Sequence, residues 1–205
     1  MAIRLLLLRH ARTAANAEGR SQGRDDQPLD EVGARQAEAL ATLVRDFAPT
    51  RVVSSPALRA RQTAAPIARD AGVSIEIDDR LHEVDQGDLE GLTGVEMRER
   101  HPDFMARWMG DDLEALDIPG GESLGAAQHR MVEAMRDTLA ASNDGAVVVV
   151  VTHNLSLRTY LCHVLGVPLS HFRRLRTDLA SLSIVEVGED GAILVALNEG
   201  CHLDA

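Results

Sequence analysis

The order of patterns along the chain predicts an α/β fold, a three-layer sandwich with a mostly parallel central sheet, an antiparallel edge strand and a small helical insertion. Three observations predict it. The apolar runs at residues 3–9 and 146–151 are continuous rather than alternating, as strands buried on both faces are. Helical apolar spacing recurs between such runs, and a turn at 189–191 separates two β-rich segments near the end. With 205 residues, 45% of them apolar and 26% charged, the chain reads as one globular domain, 1–205, with a cap-like insertion at about 89–121.

Residues 3–9 are the first strand. Asp30 caps a helix in which Val32, Leu40, Leu43, Val44 and Phe47 share a face, and Pro49 ends it. A strand at 51–54 follows, then a helix to Ala71 with Ser55-Pro56 as its N-cap and first position and with Pro66 expected to kink it. Residues 74–77 are a further strand. In the insertion the pattern weakens to helical pieces at 95–100 and 104–109, acids at Asp111 and Asp112, and a Pro119-Gly120-Gly121 loop. A helix over 123–142 carries Leu124, Ala127, Met131, Met135 and Leu139 on one face. The strand at 146–151, a helix at 154–165 and a hairpin of 181–187 with 192–198 complete the chain.

Charge and composition exclude several functions. The 21 basic residues face 32 acids, and a net charge of −11 repels nucleic acid and anionic membranes. All 21 are Arg, so a P-loop lysine and any lysine Schiff base are absent. Cys162 and Cys201 are isolated and read as reduced thiols. No apolar run reaches the length of a membrane span or signal peptide, which predicts a cytoplasmic protein. His82, His101, His129, His163 and His171 are scattered, no H-E-x-x-H spacing exists, and Gly19 with Gly23 is not a dinucleotide fingerprint. No metal and no cofactor are expected.

In open α/β sheets functional groups collect at the carboxyl ends of strands. The first strand ends in Arg9-His10, and the strand at 146–151 runs into Thr152-His153. The strand at 51–54 leads through Ser55 into a helix carrying Arg59 and Arg61. Two imidazoles and two guanidiniums can thus converge on one edge.

The segments around these residues resemble motifs of the histidine phosphatase superfamily, the phosphoglycerate-mutase-like family, in its small bacterial phosphatase branch. Leu8-Arg9-His10-Ala11-Arg12-Thr13-Ala14-Ala15-Asn16 resembles the Arg-His-Gly signature, and Ser54-Ser55-Pro56-Ala57-Leu58-Arg59-Ala60-Arg61-Gln62-Thr63-Ala64 a second motif. Leu81-His82-Glu83-Val84-Asp85-Gln86-Gly87-Asp88-Leu89-Glu90-Gly91, Pro119-Gly120-Gly121-Glu122-Ser123 and Val151-Thr152-His153 follow in the family's order. The resemblance implies His10 as nucleophile, Arg9, Arg59 and His153 as the phosphate pocket, and Glu83 as proton donor. Asn16, Gln22, Gly23 and Asn154 complete the phosphate and substrate contacts, while Arg61 points to the surface. Asn198 and His202 resemble the family's Asn-x-x-x-His-Leu ending, read as a terminal dock. Ala11 and Asn154 stand where the family usually has Gly, so a left-handed backbone there would strain Ala11.

The implied activity is metal-independent hydrolysis of a small phosphorylated metabolite through a phosphohistidine. Imidazole is nucleophilic at neutral pH, guanidiniums bind the equatorial oxygens, and a carboxylate serves the leaving group and then the water. The alternatives are a phosphoglycerate-mutase-type phosphotransferase and, less favoured, a non-catalytic phosphate-ester-binding module. The short insertion favours hydrolysis, because an open pocket admits water.

Overall fold

A computed structural model describes residues 2–111 and 113–203. Its sheet has six strands in the order β3-β2-β4-β1-β5-β6. Strands β1 (Ile3–Arg9), β2 (Arg51–Ser54), β3 (Ile75–Ile77) and β4 (Val147–Thr152) are parallel. The antiparallel edge is two strands wide, β5 (Leu182–Gly188) against β1 and β6 (Gly191–Glu199) against β5.

The continuous apolar runs follow from helices on both faces. Leu6 and Leu8 of β1, with Val149 and Val151 of β4, pack on Leu40 and Val44 of α2 (Glu31–Arg45) and Ala64 and Ile67 of α3 (Leu58–Ala71). Leu5, Leu7, Val148 and Val150 pack on Met131 and Met135 of α6 (Leu124–Ala140) and Leu157 and Leu161 of α7 (Asn154–Val164). Successive strand residues point to opposite layers, so no position of β1 from Leu5 to Leu8 can be polar.

Asp30 caps α2 as expected, its carboxylate accepting from Gly33 N at 2.7 Å. Helix α3 departs from the sequence reading. It starts at Leu58, after Ala57, which offers no side-chain cap; Asp26 accepts from Leu58 N instead. Its course through Pro66 to Ala71 is the one expected from the sequence. A four-residue helix α1 (Ala14–Ala17), absent from the expectations, is closed by a capping box between Thr13 and Asn16.

Residues 89–121 hold α4 (Gly94–Arg100) and α5 (Pro102–Trp108). Asp112, read with Asp111 as an acidic loop, lies outside the described residues. Leu89, Leu113, Leu116 and Ile118 form a third cluster with Leu124 of α6 and Phe172, to which Met97, Phe104 and Trp108 add. Among the described residues no helix is long and apolar enough to cross a membrane.

Candidate active site

Sheet register brings the predicted groups together. Arg9 pairs with Thr152 across β1 and β4, and Ser54 with Val151 across β2 and β4, so three strands end at one level. The ladder continues past them, with His10 N donating to Thr152 O and Ser55 N to Val151 O, both at 2.9 Å. The His10 and His153 rings therefore lie 5.1 Å apart between centroids.

His10 is buried, and its Nδ1–H donates to the Ala11 carbonyl at 2.8 Å. That bond fixes the tautomer and leaves the Nε2 lone pair free. Burial, and then the Arg59 and Arg9 charges, hold its pKa well below the usual histidine value, so the ring is neutral at pH 7. The Ala11 in place of glycine carries no strain, because its φ is negative; its N–H donates to Thr63 Oγ1 at 3.0 Å. Asn154 likewise has negative φ, as the first residue of α7. The left-handed Asn of this chain is Asn198.

His153 is fully buried, and burial, with Arg59 and His10 nearby, also keeps it neutral. Its Nε2 lies 2.8 Å from Ser55 Oγ, which already accepts from Ala57 N at 3.3 Å. With the His153 ring proton on Nδ1, the Ser55 hydroxyl donates to Nε2. Ser55, read from sequence as a helix cap, is the residue that orients the second imidazole. The pairing of β2 with β4 creates this contact between residues 98 apart in sequence.

The two arginines are clamped from behind. Fully buried Arg59 donates through Nη1 to Asp25 O at 2.8 Å and through Nη2 to Gly23 O at 2.9 Å. Arg9 donates through Nη1 to Thr177 O at 2.8 Å, and burial draws its pKa down to about 10, which leaves it cationic at neutral pH. Thr177 Oγ1 in turn donates to Asn154 Oδ1, and the next residue, Asp178, is held by Asn198. His202 lies 2.9 Å from the Ala180 carbonyl, so the tail docks beneath this loop, as expected. Arg61 is exposed and bonds Pro56 O, also as expected.

Glu83 sits at the N-terminus of α7. Its Oε1 accepts from Val84 N (2.8 Å), Ser156 N (3.0 Å) and Ser156 Oγ (3.3 Å), and Oε2 from Leu155 N alone (3.1 Å). Oε2 therefore keeps the open position. Arg130 ties this loop down through the carbonyls of Arg80, His82 and Glu83 and pairs with Glu122 at 2.6 Å. The Gly-Gly-Glu motif is thus a strut for Glu83, and a Cβ on Gly121 would meet Asp85 O at 2.2 Å. Gly23 is as tightly placed, since a Cβ there would lie 2.8 Å from Val84 O.

A cavity of about 410 Å³ opens onto Arg9, His10, Asn16, Gln22, Glu83 and Asn154. Asn16 Oδ1 serves the capping box, accepting from Thr13 N at 3.2 Å, and Gln22 accepts from Thr13 Oγ1 at 2.9 Å. Arg59, His153 and Gly23 are not among the residues that line this cavity, and Arg59 and His153 are fully buried. Arg9 Nε, Arg59 Nε and His153 Nδ1 are buried with no hydrogen-bond partner among the described residues. Phe104, Met105 and Trp108 line the opposite wall, whereas Met109 is exposed and does not. Among the described residues no group of three or more His, Cys, Asp or Glu is placed to hold a metal ion.

Comparisons with known proteins identify the family. The family model described as "Histidine phosphatase superfamily (branch 1)" matches residues 5–200. Phosphoserine phosphatase 1 of Hydrogenobacter thermophilus is 33% identical over 201 residues, covering 98% of this chain and 94% of that protein. A Yersinia pestis protein named probable phosphoglycerate mutase GpmB is 33% identical over 207 residues, covering 98% and 95%. A bifunctional protein of Mycobacterium tuberculosis is 42% identical over 195 residues, 95% of this chain, which spans only 53% of that relative's length. Among solved structures, a mycobacterial glucosyl-3-phosphoglycerate phosphatase superposes with a TM-score of 0.87 at 28% identity, covering 98% of this chain and all of that one. The family match over residues 5–200 and these relatives show that the chain belongs to the histidine phosphatase superfamily, branch 1.

Proposed function

We propose that the protein is a metal-independent phosphomonoesterase acting on a small phosphorylated metabolite through a phosphohistidine on His10. The observation that carries this reading is the set of buried, unpartnered donors, Arg9 Nε, Arg59 Nε and His153 Nδ1, around a neutral imidazole. Buried donors are almost always paired, and a phosphoryl group supplies three acceptor oxygens at once. Asn16, Gln22 and Asn154 add neutral contacts from the cavity side, and Gly23 holds Arg59 in place.

His10 Nε2 attacks phosphorus as the ester P–O bond breaks, and the leaving oxygen takes a proton from Glu83. Water then attacks the phosphohistidine, giving its proton to Glu83 and returning the electron pair to Nε2. Arg9, Arg59 and His153 Nδ1–H neutralise the equatorial oxygens in both transfers. Cationic and N–H donors suffice for that charge, which is why the reading needs no metal. The segment at 89–121 caps the leaving-group side.

Rapid quench with labelled phosphomonoester in the presence of a chelator tests the reading. The expected result is acid-labile, base-stable label on the protein, absent with its turnover in His10→Ala. Label retained on that variant, or activity lost to the chelator and restored by a divalent ion, would overturn it. The relative named as a mutase supports a second reading, return of the phosphoryl group to a bound product. The same experiment separates the two, since label leaves as inorganic phosphate in one and on an organic acceptor in the other.

A further inference from the structure

Arg59 is fully buried, and among the described residues no carboxylate pairs with it directly. Its two clamps are carbonyls of residues 23 and 25, in a stretch without regular secondary structure. Carbonyls of a loop are only as fixed as the loop itself. What fixes this one is Glu90, the residue after the single turn Gly87–Leu89. Its Oε1 accepts from Gly23 N at 2.7 Å and its Oε2 from Arg24 N at 2.8 Å, so one carboxylate takes two consecutive N–H groups. Beside it Ser21 N donates to Leu92 O and Gly91 N to Ser21 O, at 2.9 and 3.0 Å, which sets residues 90–92 alongside 21–24.

A single peptide unit joins the two charges. The Gly23 carbonyl accepts from Arg59 Nη2 at 2.9 Å, and the N–H of the same unit, on Arg24, donates to Glu90 Oε2. In a trans peptide these two groups point in opposite directions, and among the described residues there is no cis bond. A cation at the oxygen and an anion at the N–H both polarise the amide, so each hydrogen bond strengthens the other. Four carboxylates lie within electrostatic reach of Arg59: Glu83, Asp26, Glu90 and Asp25. Glu83 is engaged with α7, Asp26 with Leu58 N and Asp25 with Gln27. Glu90 is the one bonded to the backbone that clamps the guanidinium, and it does not line the cavity.

We propose that Glu90 is a positioning residue for phosphoryl transfer, setting the Arg59 guanidinium through the backbone of residues 23–25. This rests on the phosphatase reading above. Glu90 touches no substrate, so its effect on the reaction passes through Arg59.

A double-mutant cycle tests it. Glu90→Gln keeps the size, loses the charge and turns an NH₂ group toward one of the two N–H donors. It should lower kcat/KM about tenfold, the loss expected of one charge-assisted hydrogen bond. The factor should be the same for alkyl phosphates and nitrophenyl phosphate, because Arg59 serves the phosphoryl group and not the leaving group. In an Arg59→Ala background the same substitution should lower kcat/KM by less than about twofold. A general defect of folding or of the cap would act equally in both backgrounds, so the cycle separates positioning from structure. A loss undiminished in Arg59→Ala, no loss in the wild-type background, or a larger loss for alkyl esters, the mark of a proton donor, overturns the proposal while the phosphatase reading stands. Arg59→Ala as active as the wild type would overturn the phosphate-pocket reading itself. If Glu90→Gln does not fold, Glu90→Asp, charged but one methylene shorter, takes its place in the same cycle with the same outcomes.

Discussion

The two ends of the cavity are built by opposite means. At the phosphate end His10 and His153 follow directly on strand ends, Arg59 stands in the first turn of the helix after β2, Glu83 lies on a loop against α7, and each is secured by a second bond. Arg59 is clamped by two carbonyls, His10 by its neighbour's carbonyl, His153 by Ser55 and Glu83 by three backbone N–H groups. Elsewhere on its lining Phe104, Met105 and Trp108 come from one short helix, α5, of the 89–121 segment, and Phe104 and Trp108 are held by packing. Chemistry is thus anchored to the rigid sheet, and selectivity is carried by elements whose side chains can vary without disturbing it.

Arg59→Ala should have the largest effect that separates the ends. It removes transition-state charge stabilisation whatever the leaving group, so kcat/KM should fall about a thousandfold for alkyl and aryl phosphates alike. Steady-state assays on both classes check this, and a loss confined to one class would place Arg59 with the leaving group.

Glu83→Gln should discriminate where Arg59→Ala does not. An alkyl ester needs the proton and should lose about 10²- to 10⁴-fold, whereas nitrophenolate departs as an anion and its single-turnover burst should slow much less. Equal slowing would remove Glu83 from the acid role and turn attention to Asp85 or Glu90. Both already have partners, Asp85 a 3.8 Å ion pair with Arg24 and Glu90 the N–H groups of Gly23 and Arg24.

Ser55→Ala should lower kcat about tenfold with little change in KM, because losing one hydrogen bond frees the His153 tautomer without removing a substrate contact. Ser55→Thr should restore it. Failure of the Thr variant to recover activity would make Ser55 a packing residue only.

The smallest effect is on stability. Both buried imidazoles titrate in the folded state well below their unfolded value of about 6.5. The unfolded chain therefore takes up more protons as the solution is acidified. Their contribution is complete above about pH 6.5 and is lost as pH falls below it, each histidine adding up to about 1.4 kcal/mol per pH unit to the slope. Melting temperature measured from pH 7.5 to 5 should decline accordingly. A flat profile would mean that His10 and His153 take up protons in the fold as readily as in the unfolded chain.

Sequence reading and structure agree where the information is local. Asp30 caps α2 through Gly33 N, three residues on, so the motif and its bond lie within one turn. Ser55-Pro56 misled for the complementary reason: it has the composition of a helix start, but Ser55's hydroxyl meets a side chain from another strand. Whether Ala11 is strained where the family usually has Gly was open in the sequence, because φ cannot be read from residue type; its φ is negative.

By itself the sequence determined the strands, their burial on both faces and the polar residues at their ends, because a double-sided environment admits only apolar side chains until the strand leaves the core. The tertiary structure alone decided what those ends face. The alignment of β2, β4 and β1 sets His10 beside His153 and Ser55 behind it, and the packing of the 169–174 turn on α7 brings Arg158 to Arg173 across Phe172. Such contacts depend on register and packing between segments far apart in the chain, and no local pattern encodes either.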